Sequence, residues 1–373
     1  MEVENCSPFP HMIFEKATTR NRHFDVMVVA GTFDLVHGQP LLISDEQKPI
    51  RCADRYTGEP HCSALLEETH LVVGKKCCDV HLLGSARAED ELPRRSWHVG
   101  VRVGSVSKIA TVTGPRAWTW GLLSGWRLSE PELTDRVALH MGMAYGGSVK
   151  RSNDRAAATD DIHDDRAFDT YAPNPAGKGY VGRAALARGE AYVAAQIEDP
   201  ALPIDNMHKK YPPVSFGPIP RWYPQRAAHA GTYDAHWRAE HFPYLPADFN
   251  FAFYQSAQPE LTAPSWLDGN EPLVLLGCLP KGRLETQLPG IRILSILTDQ
   301  HGLSQPAPLR LDTVSIDLDT ETVQLVWRYA VPKQWGLSRV LLSAIPSGPP
   351  PRGASRPVHL HRQSSKSSRG LHG

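Results

Sequence analysis

Several short stretches carry residue types that could do chemistry. "GKGYVG" places Gly177, Gly179 and Gly182 in a G-x-G-x-x-G spacing. A dinucleotide loop of that pattern needs a strand before it and a helix opening inside it. Here "YAPNPA" comes first, and its two prolines argue against a central strand, so the expectation is a structural turn. "DDIHDD" (Asp160–Asp165) could offer carboxylates to a hard cation, yet it lacks the glycine and terminal glutamate of a calcium loop and reads better as a solvated charge run. His229, His236 and His241 lie close in sequence, but spacings of seven and five do not share a helical face, so a metal site is not expected. No G-x-S-x-G elbow and no Walker-type phosphate loop occurs. The six cysteines form no C-x-x-C pair and read as free thiols. No catalytic residue, cofactor site or metal site is therefore expected.

Composition narrows the partners. Lys+Arg and Asp+Glu are both 40 in 373 residues, so no net field favours nucleic acid or an anionic membrane. No apolar run reaches the length of about 20 residues that a membrane helix needs. "MEVENCSPFPHMIFEK" shows no basic region followed by an apolar run, and a cytoplasmic location is expected.

The elements that would position any site are strands. "FDVMVVAGTFDLVHGQPLLISDEQ" reads as two β-rich runs turning at His37-Gly38. "WHVGVRVGSVSKIATVTG" alternates Val99, Val101 and Val103 and turns at Gly104-Ser105. "LDTVSIDLDTETVQLVWRYAV" reads as a hairpin with one buried face. The pattern predicts a mainly β, β-rich α+β fold, with antiparallel strand-rich parts at 14–130 and 266–345. An irregular middle rich in proline and aromatics, 131–265, joins them. Residues 1–13 form a lead, 148–171 an exposed polar excursion, and 346–373 a basic tail expected to be disordered. Short helices are expected near "PELTDRVALHMG" and "RAALARGEAYVAAQ", and at "AHWRAEHF", with Asp234 as N-cap and Pro243 as terminator.

From Trp222 to Tyr254 ten aromatic residues fall in 33 positions, a third of the 30 in the chain. Such a stretch is either core under irregular backbone or a platform for a sugar or a partner protein. Composition favours core, so Tyr233, Trp237, Phe242, Phe249 and Phe253 are expected to be mostly buried.

"SFGPIPRWYPQRAAHAGTYDAHWRAEHFPYLPADFNFAFYQSAQPE" holds glycines, prolines, aromatics and acids at fixed offsets, and in these it resembles the domain of unknown function 2169 family, the adaptor proteins linked to bacterial type VI secretion. The likeness runs from about Phe14 to Ile345. The G-P-I-x-R pattern falls on Gly217, Pro218, Ile219 and Arg221, with Arg226 in register five residues on. A-G-T-Y-D-x-x-W falls on Ala230, Gly231, Thr232, Tyr233, Asp234 and Trp237. F-P-x-L-P-x-D-F falls on Phe242, Pro243, Leu245, Pro246, Asp248 and Phe249. "KIATVTGPRAW" resembles a flanking motif at Lys108, Arg116 and Trp118, and "NPAGKG" another at Asn174, Pro175, Gly177 and Gly179. "GKKCCDVHLLG" matches K-x-x-D-V-x-x-x-G. The chain departs at "MGMAYGG", where the family's charged pair gives way to Gly142 and Met143, and at "RWYPQR", where the aromatic and proline shift by one place.

The resemblance implies a non-enzymatic, chaperone-like adaptor that holds a toxic effector and helps to load it on the secretion spike. It implies a secreted effector or spike protein as partner, and structural or partner-contacting roles for the motif positions. Two other classes stay open at this point, a hydrolase-like enzyme and a carbohydrate-binding β-module. A pocket of convergent titratable groups would favour the enzyme, and a flat exposed row of aromatics the sugar module.

Overall fold

The alternating valines fold as the hairpin they predict. In the computed structural model, which describes residues 1–151, 159–182 and 190–347, Ser96–Val103 pairs antiparallel with Val106–Thr113 across a turn at Gly104. Val99, Val101 and Val103 are buried. The fold is mainly β. Its labelled strands are β1 (Glu2–Asn5), β2 (His11–Thr19), β3 (Arg22–Asp34), β4 (Asp79–Leu83), β5 (Ser96–Val103), β6 (Val106–Thr113), β7 (Pro272–Leu276), β8 (Arg283–Gln287), β9 (Ile291–Asp299), β10 (Ser304–Pro308), β11 (Arg310–Asp317), β12 (Thr322–Pro332) and β13 (Leu337–Pro346).

Three sheets carry the structure. The central one runs β2-β3-β12-β11-β4, with Leu42–Ile43 paired to the far end of β3. A second runs Ile197–Glu198, β6, β5, β7, β8, and a third β1-β13-β9-β10. Most pairs are antiparallel, while β4 on β11 and β1 on β13 are parallel. One apolar core joins the sheets, with Trp327 stacked on Phe9 at 5.9 Å and edge-on to Phe33 at 6.5 Å. Gly31 of β3 faces this packing, and a Cβ there would come within 2.9 Å of both the Phe9 and Phe33 rings.

Several expectations need correction. The N- and C-terminal strands are not two parts joined by a middle. They interleave in the same sheets, β3 with β12, β5 with β7 and β1 with β13. The stretch 1–13 is therefore no separate lead, because it supplies β1 and the start of β2. The β11–β12 hairpin is covered on both faces. Its apolar face meets the main core, and its other face carries buried Asp312, Thr313, Ser315, Gln324 and Arg328. "PELTDRVALHMG" is extended up to a single 3-10 turn that opens at Met141, and Arg136–Ala138 pairs with Ser85–Arg87. Residues 183–189 of the other expected helix lie outside the described residues, and the following Tyr192–Val193 is a strand. The polar excursion is pinned at both ends by a ribbon of Ser148–Lys150 with Phe168–Thr170, and Phe168 is buried. The basic tail from 348 onward lies outside the described residues.

Because Trp327 fills the junction of two aromatic rings and the central sheet, Trp327→Ala should cost roughly 3–5 kcal/mol. A denaturation midpoint close to that of the parent chain would show that the core is not centred there.

Candidate partner-binding surface

The polar face of the central sheet is closed by buried ions. Lys75 reaches Asp79 at 2.7 Å and stands 3.9 Å from Glu68. Glu68 Oε1 accepts from Arg226 at 2.6 Å and from Arg221 at 3.2 Å. Arg226 also donates to the Ile219 carbonyl at 2.7 Å and, through Nε, to the Phe253 carbonyl at 2.9 Å, and its guanidinium lies over the Phe253 ring. Asp79 accepts from Gln255 Nε2 at 2.7 Å and from the Ser256 backbone N–H at 2.8 Å. Beside them Arg328 pairs with Asp312 and donates to the His70 carbonyl. Burial alone would raise the Glu68 carboxyl. The surrounding Arg226, Lys75 and Arg221 cations outweigh it and hold Glu68 well below the usual range. Asp79 behaves likewise, with Lys75 as the main counter-charge.

This lattice grips both ends of one loop. Arg226 lies in α1 (Pro224–Ala227) at the entry, and Phe253 to Ser256 form the exit. Ile219 N–H donates to the Ser256 carbonyl and Asn250 N–H to the His229 carbonyl, so the loop is laced shut at its base. Within it, α2 (Ala235–Glu240) starts on Asp234, whose carboxylate accepts from the Trp237 backbone N–H at 2.8 Å. Asp248 accepts from both the N–H and the hydroxyl of Thr232. Gly231 has φ +81, and a Cβ there would meet Asp248 at 2.8 Å and Pro246 at 2.9 Å. Trp237 Nε1 donates to the Tyr244 carbonyl at 2.8 Å. Phe249 packs on Phe251, Phe253 and Tyr254, and Phe251 joins β3 residues Phe24 and Val26.

The burial expected for this stretch is overturned at its tip. Tyr233 is 51% exposed and Phe242 63% exposed, while Trp237, Phe249 and Phe253 are half-buried. Pro243 is exposed and Pro246 buried. The rings at the tip satisfy one another instead of the core. Tyr233 meets Trp237 edge-on at 4.7 Å, and Phe242 meets Trp237 edge-on at 5.7 Å. The tip also touches the central sheet, where Leu245 N–H donates to the Thr18 carbonyl and Tyr244 stacks edge-on against His23.

The family model described as an uncharacterized protein conserved in bacteria, domain of unknown function 2169, matches residues 20–328. The chain belongs to that family. No curated protein and no solved structure matches it.

The other positions that carry the resemblance to the domain of unknown function 2169 family lie away from this loop. Lys108 pairs with Glu260 at 3.1 Å. Arg116 reaches Glu198 at 2.5 Å and the Ala195 carbonyl at 3.4 Å. Trp118 sits in a separate aromatic cluster with Tyr145 and Tyr211. Asn174 donates to the carbonyls of Met141 and Tyr145 and accepts from the Tyr223 hydroxyl at 2.7 Å. Pro175 follows it, and Gly177 and Gly179 close the turn, Gly179 at φ +94. The turn at Asn174–Ala176 thus bonds Tyr223, the residue before α1, and in "GKGYVG" Lys178–Gly179 pairs as a short parallel strand with Tyr145–Gly146. Gly217 and Pro218 are buried beside His140.

One group that could do chemistry is enclosed, while a separate open pocket of about 530 Å³ is lined by Arg55, Tyr56, Glu67, His140, Asp317 and Asp319. Ser256 Oγ lies 3.1 Å from His81 Nε2 and 3.3 Å from Asp79 Oδ2, all three buried. The cavity beside them, lined by Glu68, His81 and Arg328, measures about 20 Å³, room for one water and no substrate. His236 and His241 stack edge-on, and among the described residues no group of three His, Cys, Asp or Glu is arranged to hold a metal. In "DDIHDD", Asp160 pairs with Lys150 and Asp164 with Arg166. Among the described residues no helix is long and apolar enough to cross a membrane. Reading the sequence missed Glu68, Lys75 and Asp79 as a group. The i, i+4 spacing of Lys75 and Asp79 was visible, but their joint partners are not near in sequence.

Two outcomes follow from the buried ions. Arg226→Lys loses the fork to two carbonyls and a carboxylate, and Arg226→Ala leaves Glu68 with a buried, under-compensated charge. The alanine variant should lose about 3–5 kcal/mol, read as a lower melting temperature. Acid should weaken the fold as well. Burial pushes His81 down to about 4, and burial with Lys178 nearby pushes His140 down to about 4. Between that value and about 6.5 the unfolded chain binds more protons, so stability falls as pH drops through this window. His81 alone should contribute on the order of 2–3 kcal/mol of loss between pH 7.5 and 4.5. Denaturant midpoints that stay flat over that range would contradict it.

Proposed function

We propose that this chain is a non-enzymatic adaptor that binds a toxic effector protein in the bacterial cytoplasm and helps to load it on the type VI secretion spike. The observation that carries this reading is the exposed Tyr233–Trp237–Phe242 cluster on a loop fixed at both ends by buried ions. Aromatic anchors that are rigid before binding lose little side-chain entropy and supply most of the energy of a protein interface. The rings meet edge-to-face, at 71° and 82°, and present no flat row on which a sugar ring could lie. This geometry favours a protein partner over a carbohydrate. Ser256, His81 and Asp79, enclosed beside a one-water cavity, give no support to a hydrolase built on them.

The test is co-expression of the full chain with each toxin and spike protein encoded beside its gene. The double variant Tyr233→Ala/Phe242→Ala should keep the parental melting temperature within a few degrees, because both rings are largely solvated. It should weaken capture of the cognate toxin at least tenfold, about 1.4 kcal/mol. Pro346 ends β13 and Ser347 N–H bonds the Gly290 carbonyl, so the expected tail begins only after them, and removal of residues 348–373 should leave capture within tenfold. Undiminished capture by the double variant, or loss on trimming the tail, would place the interface elsewhere.

A further inference from the structure

β2 is an edge strand, and half of its backbone has no partner. The register of β2 on β3 pairs His11 with Val29, Ile13 with Met27, Glu15 with Asp25 and Ala17 with His23. Ala30 N–H donates to the Pro10 carbonyl. Antiparallel pairs alternate between bonded and non-bonded, so Pro10, Met12, Phe14 and Lys16 point their backbone groups at β3. His11, Ile13, Glu15 and Ala17 therefore point theirs outward. Among the described residues nothing bonds to those four N–H and C=O groups.

Three of the other sheet edges are closed. β10 carries Pro306 and Pro308, which withhold donors. β8 is backed by the loop that follows β3, through Gly38 N–H to the Glu285 carbonyl and Leu41 N–H to the Gln287 carbonyl. β4 is flanked by Phe216, whose carbonyl accepts from Leu82 N–H, and by Ala263, which donates to the Cys78 carbonyl. Met12, Ile13 and Phe14 of β2 are half-buried, with Met12 and Phe14 packed on the apolar residues of β3. An added strand would complete that packing.

We infer that β2 takes up an extended segment of the bound partner protein as an added strand, in line with the aromatic loop. The inference rests on the reading of that loop as the partner surface and specifies how the partner is held. Four outward N–H and C=O pairs at two-residue spacing complement an extended backbone and no compact ligand. The aromatic loop is already joined to the end of this edge at Thr18 and His23, so one partner segment meets both surfaces. Backbone bonds give affinity without reading sequence. Phe14 adds a preference for an aromatic or β-branched residue opposite it. Glu15 and Lys16, one acid and one base, impose no net charge requirement on the segment.

The test uses the full chain and a labelled heptapeptide of alternating threonine and valine with a central phenylalanine. A second peptide is N-methylated at two adjacent residues, which blocks both of its edges. Fluorescence anisotropy should show the methylated peptide binding at least tenfold more weakly. Hydrogen exchange at Ile13, Glu15 and Ala17 should slow when the unmethylated peptide is bound. Glu15→Pro removes one outward N–H and should abolish binding, while Glu15→Ala keeps that N–H and should retain it. Equal binding of the two peptides, no binding at all, or no protection at these amides overturns the inference, and so does loss in Glu15→Ala with the fold intact. Because the peptide comparison uses the unmutated chain, it decides even where Glu15→Pro fails to fold. Toxin capture that survives Glu15→Pro but not Tyr233→Ala/Phe242→Ala would sink the added strand and leave the adaptor reading standing. Peptide docking at β2 without any toxin capture would do the reverse.

Discussion

The contact on which the remaining structure depends is the buried fork of Arg226. One guanidinium joins Glu68, the Ile219 carbonyl and the Phe253 carbonyl. Glu68 and the neighbouring Lys75–Asp79 pair would each be costly alone in the interior. Together with Arg221 they compensate one another. Through Gln255 and Ser256, Asp79 extends the same grip to the far end of the loop. The lattice contributes position more than stability: it decides where an otherwise irregular, proline-rich segment sits on the central sheet.

That arrangement divides labour along the segment. Ser215–Pro220, Tyr223, Arg226 and Tyr254 are buried, and the span from Gly231 to Phe249 is held largely by its own polar bonds. Gly231, Thr232, Asp234, Pro246 and Asp248 each have a local task in shaping the loop, as turn, cap or brace. Tyr233 and Phe242 have none of comparable weight. The loop's internal bonding thus leaves two large rings in water on a fixed frame.

Much of the strand structure was legible in the sequence because it rests on local rules. Period-two valines, Gly104 at a tight turn and Asp234 before a helical run each act within a few residues. The ionic lattice was not legible, since Glu68 and Arg226 are 158 residues apart and nothing near either one names the other. Nor could composition place Tyr233 and Phe242. Aromatic content reports that rings need contacts, and it is silent on whether they find them in the core or in one another. The interleaving of terminal strands escaped for a third reason: alternation shows which face of a strand is buried, not which strand lies beside it.

That interleaving sets a timetable for biosynthesis. β3 is a long apolar strand made early, and its central-sheet neighbour β12 exists only after Thr322 has been polymerised. At ordinary translation speed the wait is on the order of 15–60 s. Through all of it the nascent chain exposes a sticky edge to other unfinished chains. The chain thus passes through a stage at which it needs guarding itself. Its yield in a cell should follow the supply of ribosome-associated holdases more closely than the stability of the finished fold.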